Sequence, residues 1–466
     1  MHKNLKVSLD EAVSSIRKAR PLMVVSSIAH AQVVGAMKAV EGIAYEWRSV
    51  QDPDGFVITG EADIAVCETG QLTHPLRDGL TIAALLKTNP PFRQGLALLC
   101  RSDRADLRGL FYFSDVRNSY GKVWLVGAGP GSVDLITLRA IRSLAQADIV
   151  YYDDLVDGSL LTHCPGEHVY VGKRKDCISH PQDSINEMLY RSALEGKSVV
   201  RLKGGDPSIF GRAGEELDYL RRRWITVEIV PGVTSASAAA AAGLFSLTQR
   251  GISRSAIFRS GHGIDNDVPL LPEKETFVYY MAASKLNEVS HRLIREGVPP
   301  ETPAVIIRNA GAWDETSILS SVEQMKDLAV QPPALLIVGK TTACARIEKK
   351  ALFIGIDPSF VKVKEPVVHQ PLIMPVPGPK RVFNKAAMPP YKTVEPRPTP
   401  FDLSYFSAVI FSSLETVDAF EAVYGNLPDH LLCYAADNRT REALQKRGVD
   451  PWRIVPCQTR GKMTIA

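Results

Sequence analysis

The sequence predicts an α/β protein of several domains. Strand-like apolar runs alternate with helix-spaced segments, three of those strands run straight into glycine-rich loops, and 466 residues exceed what one core organises. Between residues 122 and 350 the strand candidates are Val123–Val126, Ile149–Tyr152, Val199–Lys203, Val227–Val230, Phe277–Met281, Ala304–Ile307 and Ala334–Val338. Helical spacing lies between them, in Ile185, Met188 and Leu189 and again in Leu286, Val289, Leu293 and Ile294. That alternation predicts a largely parallel or mixed sheet covered by helices.

Two smaller α/β blocks flank this region. Residues 1–121 carry apolar runs at Leu22–Val25, Ile64–Val66 and Leu80–Leu86, separated by turn residues. Eleven of the 31 prolines fall between Pro358 and Pro400, a density that no helix or central strand accommodates. Residues 351–400 therefore read as a linker with short extended pieces. Residues 401–466 return to strand and helix, with strands at Ala408–Phe411 and Leu431–Tyr434 and helices near Leu414–Val423 and Thr440–Arg447.

Composition removes several function classes. The 55 basic and 51 acidic residues leave a net charge of +4, too small a bias for a nucleic-acid or membrane-surface protein. The seven cysteines form no CxxC pair and no Cys/His cluster at zinc spacing, so reduced thiols and no metal are expected. No segment approaches the ~18 consecutive apolar residues of a membrane span. MHKNLKVSLDEAV at the N-terminus has no apolar h-region, so no signal peptide is expected and the protein reads as cytoplasmic.

The glycine loops carry the chemistry. Val123-Trp-Leu-Val-Gly127-Ala-Gly129-Pro130-Gly131 is a strand ending in glycines, with a helix expected from near Asp134. Glycines let the backbone approach a ligand, and a helix N-terminus offers free amides. The spacing does not fit the dinucleotide fingerprint, because Pro130 and Gly131 stand where x-x-G would pack helix on strand. A tight strand–helix turn remains the alternative. The second loop is Lys203-Gly204-Gly205-Asp206-Pro207 and the third Val230-Pro231-Gly232-Val233-Thr234-Ser235. Three loops at strand ends predict one shared crevice. A carboxylate and hydroxyls among amides, with no Walker lysine, suit an adenosine ligand with an amino-acid tail better than a polyphosphate.

At these residues the chain resembles the uroporphyrinogen-III C-methyltransferases of the tetrapyrrole (class III) methylase family. The similarity is nearly continuous from Val123 to Gly339. It includes VGAGPG at 126–131, ADIVYYDDLV at 147–156, VGKR at 171–174, VVRLKGGDPSIFGRAGEE at 199–216 and VPGVTSASAAAAAG at 230–243. The resemblance implies two α/β lobes with S-adenosylmethionine in the cleft between them, no metal, and a homodimer. It implies that Pro130, Gly204, Gly205, Asp206, Ile209, Thr234, Ser235 and Met281 contact that cofactor, with the backbone near Ala310. Asp153 falls at the family's proposed proton acceptor and Lys173 at its proposed proton donor. The implied reaction is two successive C-methylations of uroporphyrinogen III, giving precorrin-2 for sirohaem or cobalamin-type biosynthesis. Arg174, Lys175, Lys203, Arg212, Arg250 and Arg254 are candidates to pair with the carboxylates of that substrate.

Without the resemblance, Asp153 beside Asp154 reads as a capping or solvated pair, Lys173 as a surface lysine and Met281 as core. His180 and His262 read as structural. The chain also departs from the family. The usual Leu-Thr-His-Arg is Leu247-Thr248-Gln249-Arg250, and the usual Tyr-Met-Gly is Tyr280-Met281-Ala282, which is expected to add a methyl beside the pocket. A glycine common at the position of Ala310 has moved or been lost.

The flanks resemble pathway neighbours in degenerate form. Gly60–Val66 and Asp78–Ala84 resemble the first domain of porphobilinogen deaminase, but Gly70 and Gln71 replace its lysine and catalytic aspartate. Residues 401–466 resemble part of uroporphyrinogen-III synthase. Neither activity is expected. Two rival readings stay open: a class III methylase acting on a later corrinoid intermediate, and a non-catalytic tetrapyrrole-binding scaffold.

Overall fold

The computed structural model describes residues 21–28, 30–37, 43–72, 75–86, 95–172, 180–262, 274–312, 314–347, 350–354, 361–362, 367–370, 373–375, 391–393, 401–456 and 458–459. It divides into two compact units. One holds residues 1–123, 181–199 and 214–228, and the other holds 124–180, 200–213 and 229–466.

In the first unit, β1 (Leu22–Ser26), β2 (Tyr45–Ser49), β3 (Ile64–Glu68), β4 (Leu80–Leu86) and β5 (Leu96–Arg101) form a sheet ordered β2-β1-β3-β5-β4. β2 and β3 run parallel to β1, while β5 runs antiparallel to β3 and β4. One face buries Val24, Ile64, Val66 and Leu98. The other buries Val25, Ala65, Leu85 and Leu99, and Trp224 packs against that second core. A segment from the middle of the sequence thus completes the first block.

The methylase-like region contains two further five-stranded sheets. β6 (Lys122–Gly127), β7 (Ile149–Tyr152), β8 (Glu167–Tyr170), β9 (Val199–Lys203) and β10 (Thr226–Val230) are ordered β10-β6-β9-β7-β8. The helix Leu138–Ala145 supplies Ala140 and Leu144 to a core with Val126, Val150, Val200 and Leu202. β11 (Ser255–Ser260), β12 (Glu275–Tyr280), β13 (Pro303–Arg308), β14 (Thr316–Ser321) and β15 (Ala334–Val338) are ordered β11-β12-β15-β13-β14. Here only β11 and β12 are parallel, and the remaining pairs are antiparallel. Alternation of Phe277, Tyr279 and Val278, Tyr280 along β12 puts one pair against Leu286 and Val289 and the other against Ala236 and Ala239.

The structure departs from the sequence reading in three places. The helix after the first glycine loop begins at Leu138, not near Asp134: Val133–Leu135 form a single tight turn, and Thr137 caps the helix by accepting the Ala140 N–H at 3.2 Å. β12 ends at Tyr280, because Met281 takes a left-handed φ of 56° that no strand continues. Strand pairing also reaches into the proline-rich stretch. Lys350–Ile354 pairs in parallel with both Val367–Gln370 and Phe406–Phe411. With Leu432–Ala435 and Ile454–Pro456 they form an all-parallel five-stranded sheet. The apolar run Ala351–Ile354 is fully buried there, and pairing across about fifty residues of sequence was not visible from proline density.

Candidate functional site

The three glycine loops meet at their glycines. A Cβ placed on Gly127 would lie 2.6 Å from both the Gly205 carbonyl oxygen and the Gly232 backbone. One placed on Gly232 would overlap the same Gly205 carbonyl. Only glycine permits three backbones to pack this closely. Gly129 and Gly205 also exchange backbone hydrogen bonds, Gly205 N–H to Gly129 O at 2.7 Å and Gly129 N–H to Gly205 O at 3.2 Å.

Asp206 clips the junction. Its Oδ2 accepts the Gly232 N–H at 3.0 Å and its Oδ1 accepts the Ser208 N–H at 2.8 Å. The fourth loop, Asn309–Ala312, closes on the first. Ser132 N–H donates to the Gly311 carbonyl at 2.8 Å, and a Cβ on Gly311 would lie 2.7 Å from Pro130 Cγ. The glycine expected near Ala310 therefore stands one position later, at φ 80°, where Pro130 requires it. Ala310 itself is buried with Ala236 and Ala238, and Ile209 packs on the same cluster.

The backbone is strained around this junction. Six described non-glycine residues have positive φ, and Phe210, Arg212, Met281 and Asn309 are four of them. Such conformations cost ~1–3 kcal/mol each and gather where function over-determines the fold. Met281 is 48% exposed, so the strand no longer hides it in the core. Ala282, in contrast, turns its methyl into the opposite core with Leu286 and Val289 and does not line the pocket, contrary to the expectation from sequence.

Asp153 follows β7 on a turn in which Leu155 packs over Gly204: a Cβ on Gly204 would lie 2.5 Å from Leu155 Cβ. The Asp153 carboxylate is not a solvated partner of Asp154. Its Oδ2 accepts from Arg201 Nη2 at 2.9 Å, and Arg201 Nη1 donates to the Leu202 carbonyl at 2.9 Å. Arg201 is 4% exposed, so a buried guanidinium anchors the carboxylate from the neighbouring strand β9. Asp154 instead accepts from the Tyr170 hydroxyl at 2.5 Å.

Tyr280 is the second residue that sequence reasoning passed over. Its hydroxyl lies 2.6 Å from Thr234 Oγ1. Burial pushes the phenol up, so it stays neutral. The signal for Arg201 was present, since a charged residue inside the apolar strand Val199-Val200-Arg201-Leu202 demands a partner. Tyr280 carried no such signal.

The expected cofactor residues Pro130, Gly204, Gly205, Asp206, Ile209, Thr234, Ser235, Met281 and Ala310 thus belong to one set of interlocked loops. The substrate candidates do not gather as clearly. Arg212, Arg250 and Arg254 are exposed, whereas Lys203 is 5% exposed within β9. Lys173, Arg174 and Lys175 lie outside the described residues. No group of three or more His, Cys, Asp or Glu able to hold a metal occurs among the described residues, and no described helix is long and apolar enough to cross a membrane.

Residues 122–326 match the family model of Tetrapyrrole (Corrin/Porphyrin) Methylases. A uroporphyrinogen-III C-methyltransferase of Pseudomonas aeruginosa is 46% identical over 232 residues, covering 48% of this chain and 94% of that protein. A siroheme synthase of Thioalkalivibrio sulfidiphilus is 39% identical over 237 residues, 48% of each chain, so the match spans about half the length of that relative. Among solved structures, a uroporphyrin-III C-methyltransferase from Thermus thermophilus shares 38% identity, with 48% of this chain and 99% of that chain covered and a TM-score of 0.43.

Proposed function

This chain belongs to the tetrapyrrole methylase family, and from that premise we propose that it methylates uroporphyrinogen III twice at carbon, with S-adenosylmethionine as donor, to give precorrin-2. The observation that carries the reading is the junction of Gly127, Gly205 and Gly232, with the Asp153 turn packed against it through Leu155 and Gly204.

The loops fit the donor. Backbone amides and carbonyls, the hydroxyls of Thr234 and Ser235 and the apolar side chains of Ile209 and Met281 suit an adenosyl group with an amino-acid tail. The donor, when bound, supplies a sulfonium methyl that is already electrophilic. The chain's own part is then chiefly to hold two reactants in line and exclude water, which in ideal cases lowers a barrier by ~7–11 kcal/mol. Asp153, held by Arg201, accepts a pyrrole N–H and stabilises positive charge as the ring carbon attacks. Lys173 manages the proton transfer that restores the ring. The exposed Arg212 and Arg250, with Arg174, pair with substrate carboxylates.

We infer that the protein works as a cytoplasmic homodimer and that its product feeds sirohaem or cobalamin-type synthesis. The flanks, read as relics of a deaminase and a synthase, serve packing. The packing of the half-buried Trp224 against the first block supports that role.

The test is one assay: the full chain with uroporphyrinogen III and S-adenosylmethionine, read by product mass. A gain of two methyl groups is expected. Methylation only of a corrinoid precursor would move the assignment to the rival methylase. Binding of tetrapyrrole with no transfer from the donor would leave a scaffold.

A further inference from the structure

We infer that Tyr280 is a positioning residue for the methyl donor, setting the direction of the Thr234 hydroxyl at the start of the helix Ser235–Ala242; this rests on the methyltransferase reading above.

That helix begins without a cap of its own, since the Thr234 side chain accepts none of its N–H groups. The Tyr280 hydroxyl, at the end of β12, meets Thr234 Oγ1 at 2.6 Å beside that N-terminus. A neutral phenol has one proton and two acceptor sites. Either hydroxyl can donate across that contact, and in both cases it holds Thr234 Oγ1 toward Tyr280. Thr234 is thereby fixed in one direction at the start of the helix. A threonine without this neighbour rotates freely among staggered positions.

The ring does the rest of the work. It lies 4.8 Å from the Phe210 ring and 5.8 Å from the Phe258 ring, and it is 8% exposed. Phe210 follows Ile209 on the second glycine loop, and Met281 follows Tyr280 itself. One side chain therefore ties together the segments carrying Ile209, Thr234, Ser235 and Met281. These are expected donor contacts from three separate stretches of sequence. Tyr280 itself need not touch the donor.

Tyr280→Phe removes the oxygen and leaves the ring stacking in place. Calorimetry with S-adenosylhomocysteine is expected to show binding weakened about five- to tenfold, as loss of an orienting hydrogen bond implies. The KM for donor should rise alike, with kcat at saturating donor within about twofold of the parent. Thr234→Val should weaken binding by a similar factor, and the double variant should be no worse than either single one. Unchanged affinity in folded Tyr280→Phe, or fully additive losses in the double variant, would overturn the inference. So would a loss of kcat and thermal stability with no change in affinity, which marks a merely structural role. A parent protein that binds no S-adenosylhomocysteine sinks the methyltransferase reading first, and this inference with it.

Discussion

Two regions of this chain end strands in loops of small and polar residues, yet the two satisfy those groups in different ways. In the C-terminal parallel sheet the strand ends are self-sufficient. Asp437 accepts the Thr440 N–H at 2.7 Å to cap the helix Asn438–Lys446, and the Ser413 N–H donates to the Thr416 hydroxyl at 3.2 Å. Ser412 reaches across to the Ile354 carbonyl. In the methylase region the corresponding loops are bare glycine, the helix Ser235–Ala242 has no cap from its own N-terminal side chain, and Thr234 finds its partner 46 residues later. Local caps stabilise one helix each; glycine packing and distant partners instead tie separate loops to one another.

The sharpest way to break this contrast is Gly232→Ala. The added methyl would overlap the Gly205 carbonyl and press on Gly127, costing ~1–3 kcal/mol of stability. It should also abolish donor binding and methylation, since the junction cannot close. By comparison, Gly425→Ala in the C-terminal region meets nothing within 4 Å and strains only a left-handed φ of 71°. Methylation by that variant should match the parent, and equal losses in both variants would remove the distinction.

Next in size is Arg201→Met. Losing the guanidinium orphans Asp153 and should destabilise the fold by about 3 kcal/mol. Methylation should fall by about 10²-fold, the order of one lost catalytic hydrogen bond. Asp154→Asn, which loses only the charge beside Tyr170, should stay close to parental rate. The ratio of the two rates tests whether Asp153 and Asp154 differ as their partners suggest.

Asp437→Ala should lower stability by about 1 kcal/mol through the lost cap, and leave methylation unchanged. Thermal melting together with the product assay separates the two readouts.

A last effect, on stability alone, is a pH dependence to which the C-terminal sheet contributes. Burial raises the Cys433 thiol from 9.0 to about 11. The folded state therefore disfavours the thiolate, and stability present below pH 9 should decline as the pH rises towards 11. Cys433→Ser would remove that part of the slope, leaving what the raised Cys67 and Cys100 thiols contribute, and alkylation of Cys433 should lag far behind that of the exposed Cys344.

How much of this was readable in advance varied by residue. Strands Ile149–Tyr152 and Ala334–Val338 follow directly from their apolar runs, because burial on both faces leaves a continuous hydrophobic stretch. The convergence of the three glycine loops followed from their common place at strand ends. Ala282 misled, since its neighbour Met281 turns the backbone and carries the methyl to the far core. Lys350–Ile354 misled as well, because proline density describes a segment and not its few apolar residues.

Taken alone, the sequence determined the alternation of elements, the glycine positions and the family pattern, all of which are local or near-local. Tertiary structure alone decided which side chains share a bond. Arg201 meets Asp153 across 48 residues and Tyr280 meets Thr234 across 46. Nothing in either local stretch encodes that distance: it arises when neighbouring strands and packed cores bring their ends together. Hydrogen bonds of 2.6–2.9 Å respond to displacements that residue patterns do not register.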